Sequence, residues 1–241
     1  MKTILALDTA AEVLSAALSD GDRYWYREAG AGLTHSELLP DLMDGLLRDA
    51  GLGPEALEAA ACMKGPGSFT GLRIGFSAAK GLALALGIPF IACSTLDCAA
   101  YPWTPWPGLV LPLLDAKKGR FFSALYAGGR RVSAEMDADP ESLAACIRSQ
   151  DRQNPEGGRS AVLLTGSGAS LFLSRVRAEG GEGRAWPEDL LDRLRLDPLY
   201  KKGRALELAA VAKKQAIINN EGDDMSSAPE YLRKSDADLN L

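Results

Sequence analysis

Gly65-Pro66-Gly67-Ser68-Phe69-Thr70-Gly71-Leu72-Arg73-Ile74-Gly75 is the stretch on which the reading of this chain turns. It follows a short β-prone run, Ala59 to Met63, and opens a helical pattern that continues to about Leu86. A glycine-rich turn between a strand and a helix presents free N–H groups, an arrangement suited to an anion. The phosphate-loop patterns do not fit in detail. A Walker loop needs a lysine after its second glycine, whereas here Thr70 is followed by Gly71 and Leu72; Gly65-x-Gly67 is followed by Thr70 where a Rossmann turn has glycine. A tight turn capped by Ser68 or Thr70 accounts for the glycines about as well. Within the helical pattern Gly71, Gly75, Ala79 and Ala83 fall four apart, so one ridge carries almost no side chain. Each helical glycine costs roughly 1 kcal/mol relative to alanine, which calls for a backbone-close contact, internal or external.

Working outward, Thr3 to Leu7 and Val13 to Leu18 flank a polar turn and predict a hairpin with Asp8 at the strand end; Tyr24-Trp25-Tyr26 predicts a third strand. Thr34-His35-Ser36-Glu37 fits a capping box, opening a helix whose stripe is Leu38, Leu39, Leu42, Met43, Leu46 and Leu47, with Gly51 as its stop. Pro40 inside that pattern is expected to kink the helix or move its start later. After a strand at Pro89 to Ala92, the run Tyr101-Pro102-Trp103-Thr104-Pro105-Trp106-Pro107-Gly108 breaks regular structure and sets the expected boundary between a lobe 1–104 and a lobe 105–241. Leu109 to Asp115 and Phe121 to Tyr126 then repeat the strand, acid, turn, strand order of the N-terminus. A second strand-then-glycine segment, Leu163-Leu164-Thr165-Gly166-Ser167-Gly168, echoes the one ending at Gly65. A period seen twice means duplication rather than a solenoid. Gln150 to Ser160 and Ala178 to Asp189 read as polar loops. Leu199 to Asn219 reads as a helix and Asp223 to Leu241 as a polar tail, both assigned to the second lobe.

With 241 residues, 46% hydrophobic and 24% charged, the composition is that of a globular chain and excludes disorder. A net charge of −5 argues against gripping a phosphate backbone unaided. The longest nearly apolar stretch, Leu82 to Cys93, is too short for the ~20 residues of a membrane span. With an acid as early as Asp8 in place of a secretory leader, a cytoplasmic location is expected. Cys62, Cys93, Cys98 and Cys146 form no Cys-x-x-Cys pair and read as reduced, buried thiols. His35 is the sole histidine, so neither a paired-histidine metal site nor a serine or cysteine triad is expected; a position at a helix N-terminus or on the surface is. Asp8 and Asp115, each at a strand end, with Gly67 and Ser68 on the glycine turn, read in two ways. The arrangement resembles the way two-lobed actin-like ATPases hold magnesium-nucleotide in an interlobe cleft, or the aspartates cap turns. The phosphate turn of those ATPases usually carries glycine next to the acid, and Thr9-Ala10 and Ala116-Lys117 stand there instead, which counts against nucleotide binding by this chain alone.

Several of these stretches together resemble the TsaB (YeaZ) family of bacterial tRNA threonylcarbamoyladenosine biosynthesis subunits. They are Ile4-Leu5-Ala6-Leu7-Asp8-Thr9-Ala10, His35-Ser36-Glu37-Leu38-Leu39-Pro40, the Gly65–Gly75 run, Gly81-Leu82-Ala83 and Ser94-Thr95-Leu96. Leu114-Asp115-Ala116-Lys117-Lys118-Gly119 and Tyr231-Leu232-Arg233 complete the set. The likeness is strong over residues 2 to 126 and thin from there to the tail. The resemblance implies an actin-like, ribonuclease H-like α/β fold of two duplicated lobes. The metal-binding His-x-x-x-His of the catalytic paralogue TsaD is missing here, which favours the non-catalytic member of the pair. It further implies a scaffold that binds TsaD directly through N-lobe helices, with TsaE in the complex. TsaD there transfers a threonylcarbamoyl group to the adenosine next to the anticodon of tRNAs reading A-starting codons. tRNA is met only through the complex, ATP and magnesium act at partner subunits with no intrinsic cofactor, and where TsaD is absent the two alternatives are a monomer and a self-dimer through the surface meant for TsaD. The expected partner interface joins the stripe Leu39, Leu42, Met43 and Leu46 to the ridge Gly71, Gly75, Ala79 and Ala83. The ridge is expected to face outward, because a core position normally rewards larger side chains. The alternative is an actin-like kinase or ATPase using Asp8 and Asp115 around magnesium. A third reading, a TsaD-like catalytic subunit, requires bound iron or zinc. Lys117, Lys118 and Arg120 read as a solvated hairpin turn.

Overall fold

Every residue from Thr3 to Asp8 is buried, because strand β1 (Thr3–Asp8) is covered on both faces. A strand so placed is apolar on both sides rather than alternating, as Ile4-Leu5-Ala6-Leu7 is. The structure, a computed structural model, describes residues 3–30, 34–153, 159–178, 186–219 and 222–233. β1 pairs antiparallel with β2 (Val13–Asp20), which turns through Gly21 into β3 (Arg23–Gly30). Then come α1 (His35–Ala50), β4 (Ala59–Gly65), α2 (Phe69–Leu86) and β5 (Phe90–Ser94). β4 and β5 join in parallel, giving the order β3-β2-β1-β4-β5. α1 and α2 end at Gly51 and Gly87, both left-handed with φ of 68° and 65°, the backbone that glycine adopts at least cost.

The start of α1 differs from its sequence reading in two respects. Thr34 has φ −102° and ψ 24°, outside the extended region a capping side chain needs, and it makes no side-chain cap bond. Its carbonyl alone closes the first turn, accepting from the N–H groups of Glu37 and Leu38. Pro40 does not delay the helix, which is continuous from His35 with the proline exposed.

The chain passes through α3 (Thr95–Ala100) into β6 (Leu109–Asp115), β7 (Phe121–Ser123), β8 (Tyr126–Ala127), β9 (Arg130–Arg131) and β10 (Met136–Ala138). It continues as α4 (Pro140–Gln153), β11 (Val162–Thr165), α5 (Ala169–Ala178), α6 (Glu188–Leu191) and β12 (Leu194–Leu196). This second sheet runs β10-β7-β6-β11-β12, with β8 pairing to β6 and β9. β7 and β10 are antiparallel to their neighbours, and β11 and β12 are parallel, the same order and senses as in the first sheet. Two units of this topology make the duplicated α/β fold of the actin-like, ribonuclease H-like class. The single strand expected from Phe121 to Tyr126 is split into β7 and β8 by the buried pair Ala124 and Leu125. Lys117, Lys118 and Arg120 lie on the hairpin turn between β6 and β7. There Lys117, Lys118 and Gly119 all take positive φ, and Arg120 bridges to Asp137 at 2.9 Å.

The expected division at residue 104 requires correction. The compact units are Met1–Cys98 with Gly203–Leu241, and Ala99–Lys202, so the last helix and the described part of the tail, 222–233, belong to the first unit. The cause is the two-sided first sheet. Leu5, Leu7, Ala60, Cys62, Phe90 and Ala92 pack into one core with α1 and α2. Ile4, Ala6, Ala59, Ala61, Met63 and Ile91 face the other way, and α7 (Ala205–Asn219) covers them with Leu208, Ala209, Ala212 and Ala216. That helix starts at Ala205, not Leu199. Residues 222–233 then run past the outer edge of β5, where the N–H of Asp223 reaches the Phe90 carbonyl at 2.7 Å and its carboxylate accepts from Ala92 N–H at 2.6 Å. An edge strand is thereby covered. The expected polar tail beyond 233, the first two residues and parts of the two polar loops lie outside the described residues.

Candidate functional site

The glycine run is a packing device at the end of β1. Gly67 lets the chain come within reach of the Ala10 carbonyl, which accepts from Ser68 N–H at 2.8 Å. A Cβ on Gly71 would overlap the Thr9 carbonyl oxygen, and one on Gly75 would stand 2.5 Å from the Thr9 hydroxyl. That hydroxyl donates to the Gly71 carbonyl at 2.7 Å. Gly65, at φ 122°, faces the Glu230 carbonyl, which a Cβ there would overlap. Ser68 caps α2 by accepting from Gly71 N–H at 3.2 Å, the capping alternative of the sequence reading.

The small ridge therefore faces inward, against expectation. Gly71, Gly75, Ala79 and Ala83 are all buried. The premise that a core position rewards larger side chains holds where side chains fill the space between helix and sheet. Here α2 lies directly against the Thr9 backbone, and only a missing side chain permits that. Leu46 is also fully buried, and Leu42 is half-buried against the same core.

What does open outward is the neighbouring ridge. α1 and α2 flank a groove of about 930 Å³, lined on one side by Leu39, Pro40, Met43 and Leu47 and on the other by Phe69, Ile74, Ala78 and Leu82. Of the expected interface residues, Leu39 and Met43 line it. Sequence reading passed over Ile74, Ala78 and Leu82, although they recur four apart, one residue round the helix from the glycine ridge. Gly81 also lines the groove and a Cβ there would meet nothing within 4 Å.

Asp8, Gly67 and Ser68 gather around the turn at residues 8–10, and Asp115 lies in the second unit. Asp8 is buried, and its carboxylate accepts from the N–H of Ala10 at 3.1 Å and of Arg204 at 2.8 Å, while Ser15 Oγ accepts from Ala205 N–H at 3.2 Å. Asp8 and Ser15 thus hold the first turn of α7, satisfying N–H groups that a helix start leaves open. Burial raises the Asp8 carboxyl above its ordinary value, and the two N–H groups oppose that rise. Asp115 accepts from the N–H and the Nζ of Lys117, both at 2.8 Å. Each aspartate thus accepts from the N–H two residues on in its own turn, and Asp8 in addition holds the start of α7.

His35, at the first residue of α1, is buried and donates from Nε2 to the Ala11 carbonyl at 3.0 Å, a donor role fixed because a carbonyl only accepts. Cys62, Cys93 and Cys98 are buried, Cys146 half-buried, and all four are free. Burial pushes the Cys93 thiol up to about 12, which opposes the thiolate a nucleophile requires. Among the described residues no group of three or more His, Cys, Asp or Glu could hold a metal ion, and no helix is long and apolar enough to cross a membrane.

Fold and site define a duplicated actin-like protein whose first unit carries an apolar groove between two helices. The sequence profile of TsaD, tRNA N6-adenosine threonylcarbamoyltransferase, matches residues 29–178. The tRNA threonylcarbamoyladenosine biosynthesis protein TsaB of Bacillus subtilis is 38% identical, over 98% of this chain and 96% of its own length. A tRNA N6-adenosine threonylcarbamoyltransferase of Nitratidesulfovibrio vulgaris is 44% identical over 66 residues, 27% of this chain and 18% of that one. The solved structure of YeaZ from Pseudomonas aeruginosa superposes with a TM-score of 0.73 at 25% identity, covering 96% of this chain and all of that one. The chain belongs to the TsaB (YeaZ) family and takes part in tRNA threonylcarbamoyladenosine biosynthesis.

Proposed function

We propose that this chain is the non-catalytic scaffold of its pathway, binding the catalytic paralogue TsaD through the α1/α2 groove. The observation that carries the reading is the groove itself, flanked by two helices and lined mainly by apolar side chains. Such a face is unfavourable in water, and burying it against a partner removes that penalty. The match of this chain to the TsaD profile supports the choice of occupant, since a paralogue brings an equivalent helix pair, and helix ridges seat in helix grooves. TsaE joins the same complex, tRNA is met through it, and ATP and magnesium act at the partner subunits. Alone, the protein pairs with itself through the same face. The bonds that Asp8 and Asp115 accept from the chain's own N–H groups support a structural role for both.

The test is tRNA threonylcarbamoylation by TsaD, TsaE and the adenylate-forming enzyme, with this protein, without it, and with Met43→Asp. Met43 is half-buried on the groove wall, so a charge there is desolvated on docking without disturbing the fully buried core. Activity that requires the wild-type chain and is lost with Met43→Asp is the expected result. Activity indifferent to the protein would remove the scaffold reading, and saturable ATP binding by the isolated chain would replace it with the kinase or ATPase reading.

A further inference from the structure

The segment 222–233 is tied to the first unit at four places. Asp223 bonds to β5, as described above. Lys80 Nζ on α2 donates to the Met225 carbonyl at 2.7 Å and to that of Ser227. Glu230 N–H donates to the Lys64 carbonyl at 2.8 Å, and its carboxylate meets Lys64 Nζ at 2.6 Å. The last tie is Tyr231, whose ring lies 4.8 Å from the ring of Phe69 and whose hydroxyl accepts from Arg73 Nε at 3.2 Å. Arg73 Cζ in turn stands over the Phe69 ring, 3.9 Å from its centroid. Phe69 and Arg73 are both groove-lining residues at the N-terminal end of α2. The strap thus ends on the rim of the groove.

We propose that the strap completes the docking surface, with Tyr231 locking the Arg73 guanidinium at the end of the groove as an anchor for a carboxylate on the partner that fills it. The proposal rests on the reading of the groove as the TsaD site. Three observations carry it. First, Arg73 is exposed and pairs with no carboxylate among the described residues, while the wall around it is largely apolar. A guanidinium covered on docking costs binding energy unless an anion meets it. Second, Nε is already engaged by Tyr231 and Cζ stands over Phe69, while among the described residues no bond engages the two terminal NH₂ groups, whose fork matches a carboxylate. Third, ring and hydroxyl together hold a side chain that otherwise loses much rotamer freedom on binding, which is the kind of preorganisation that strengthens an interface. Tyrosine and arginine packed together at a groove end form a pair typical of binding hot spots. The partner chemistry this fits is a helix pair carrying an Asp or Glu at the position that meets the N-terminal end of α2.

The experiment measures the dissociation constant for purified TsaD at low and moderate salt with wild type, Arg73→Met, Arg73→Lys, Tyr231→Phe and Met43→Asp, each checked for folding by circular dichroism. Arg73→Met is expected to weaken binding by about tenfold or more and to flatten its salt dependence. Arg73→Lys keeps the charge without the fork, so it restores the salt dependence but not the affinity. Tyr231→Phe keeps the ring contact and removes the acceptor, and weakens binding several-fold. If Arg73→Met and Tyr231→Phe bind as wild type does while Met43→Asp does not bind, the anchor is wrong and the groove reading stands. If Met43→Asp binds as wild type does, the groove reading fails and takes the anchor with it.

Discussion

Replacing Gly75 with alanine distinguishes a ridge that packs inward from one that meets a partner. In a helix interior the change by itself stabilises by about 1 kcal/mol. Against that, the new Cβ would stand 2.5 Å from Thr9 Oγ1 and 3.7 Å from Cys62 Cβ. Overpacking of a close-fitted site costs roughly 1–3 kcal/mol. Turning Thr9 aside breaks its 2.7 Å bond to the Gly71 carbonyl, a buried bond worth about 0.5–1.5 kcal/mol. The net expectation is a loss of about 2 kcal/mol. Gly81→Ala supplies the control on the same helix, because its Cβ would meet nothing within 4 Å, and it is expected to gain up to about 1 kcal/mol. Urea unfolding followed by far-UV circular dichroism reads both as midpoint shifts at constant slope. The midpoints should move in opposite directions. A Gly75→Ala midpoint that rises as far as that of Gly81→Ala would refute the inward packing of the ridge.

Other consequences follow from the same contacts. Asp8→Ala leaves the N–H groups of Ala10 and Arg204 buried without their acceptor, at roughly 1–3 kcal/mol each, so hydrogen exchange in α7 should speed before exchange in β1 and β4 does. Asp139 precedes α4 and accepts from Ser142 N–H at 2.8 Å, so Asp139→Ala should cost about 1 kcal/mol at neutral pH. The Ser142 hydrogen bonds hold the Asp139 carboxyl below its ordinary 3.8. The stabilisation is therefore present above that value and lost as pH falls below it, and the gap between wild type and Asp139→Ala should close in that window when urea midpoints are compared across acid pH.

Much of the local structure was legible because it rests on short-range causes. The hairpin around Asp8, the helix stop at Gly51, the end of α2 near Leu86 and the hairpin turn at Lys117, Lys118 and Arg120 follow from residues whose backbone preferences act within a few positions. The repeat of strand, acid and turn pointed to duplication, and the two sheets share one strand order. The capping box shows the limit of such reasoning: the residue types are present, but Thr34 adopts φ and ψ that withhold its side chain from the cap. The small ridge was expected to face outward, and the sequence missed its true direction for a related reason. Spacing of four says that Gly71, Gly75, Ala79 and Ala83 share a face, and says nothing about which way that face turns.

The sequence by itself determined the elements, their punctuation, the doubled arrangement and the absence of paired histidines, since each depends on neighbours along the chain. Tertiary structure alone decided the rest. It brought Arg204 back to Asp8 and Tyr231 back to Arg73, across 196 and 158 residues. It also turned the glycine ridge onto Thr9 and left the ridge of Ile74, Ala78 and Leu82 open. The physical reason is the first sheet, which has two apolar faces and only enough chain before residue 99 to cover one of them fully. The last helix must return to cover the other, and where it lands fixes which residues remain for a partner.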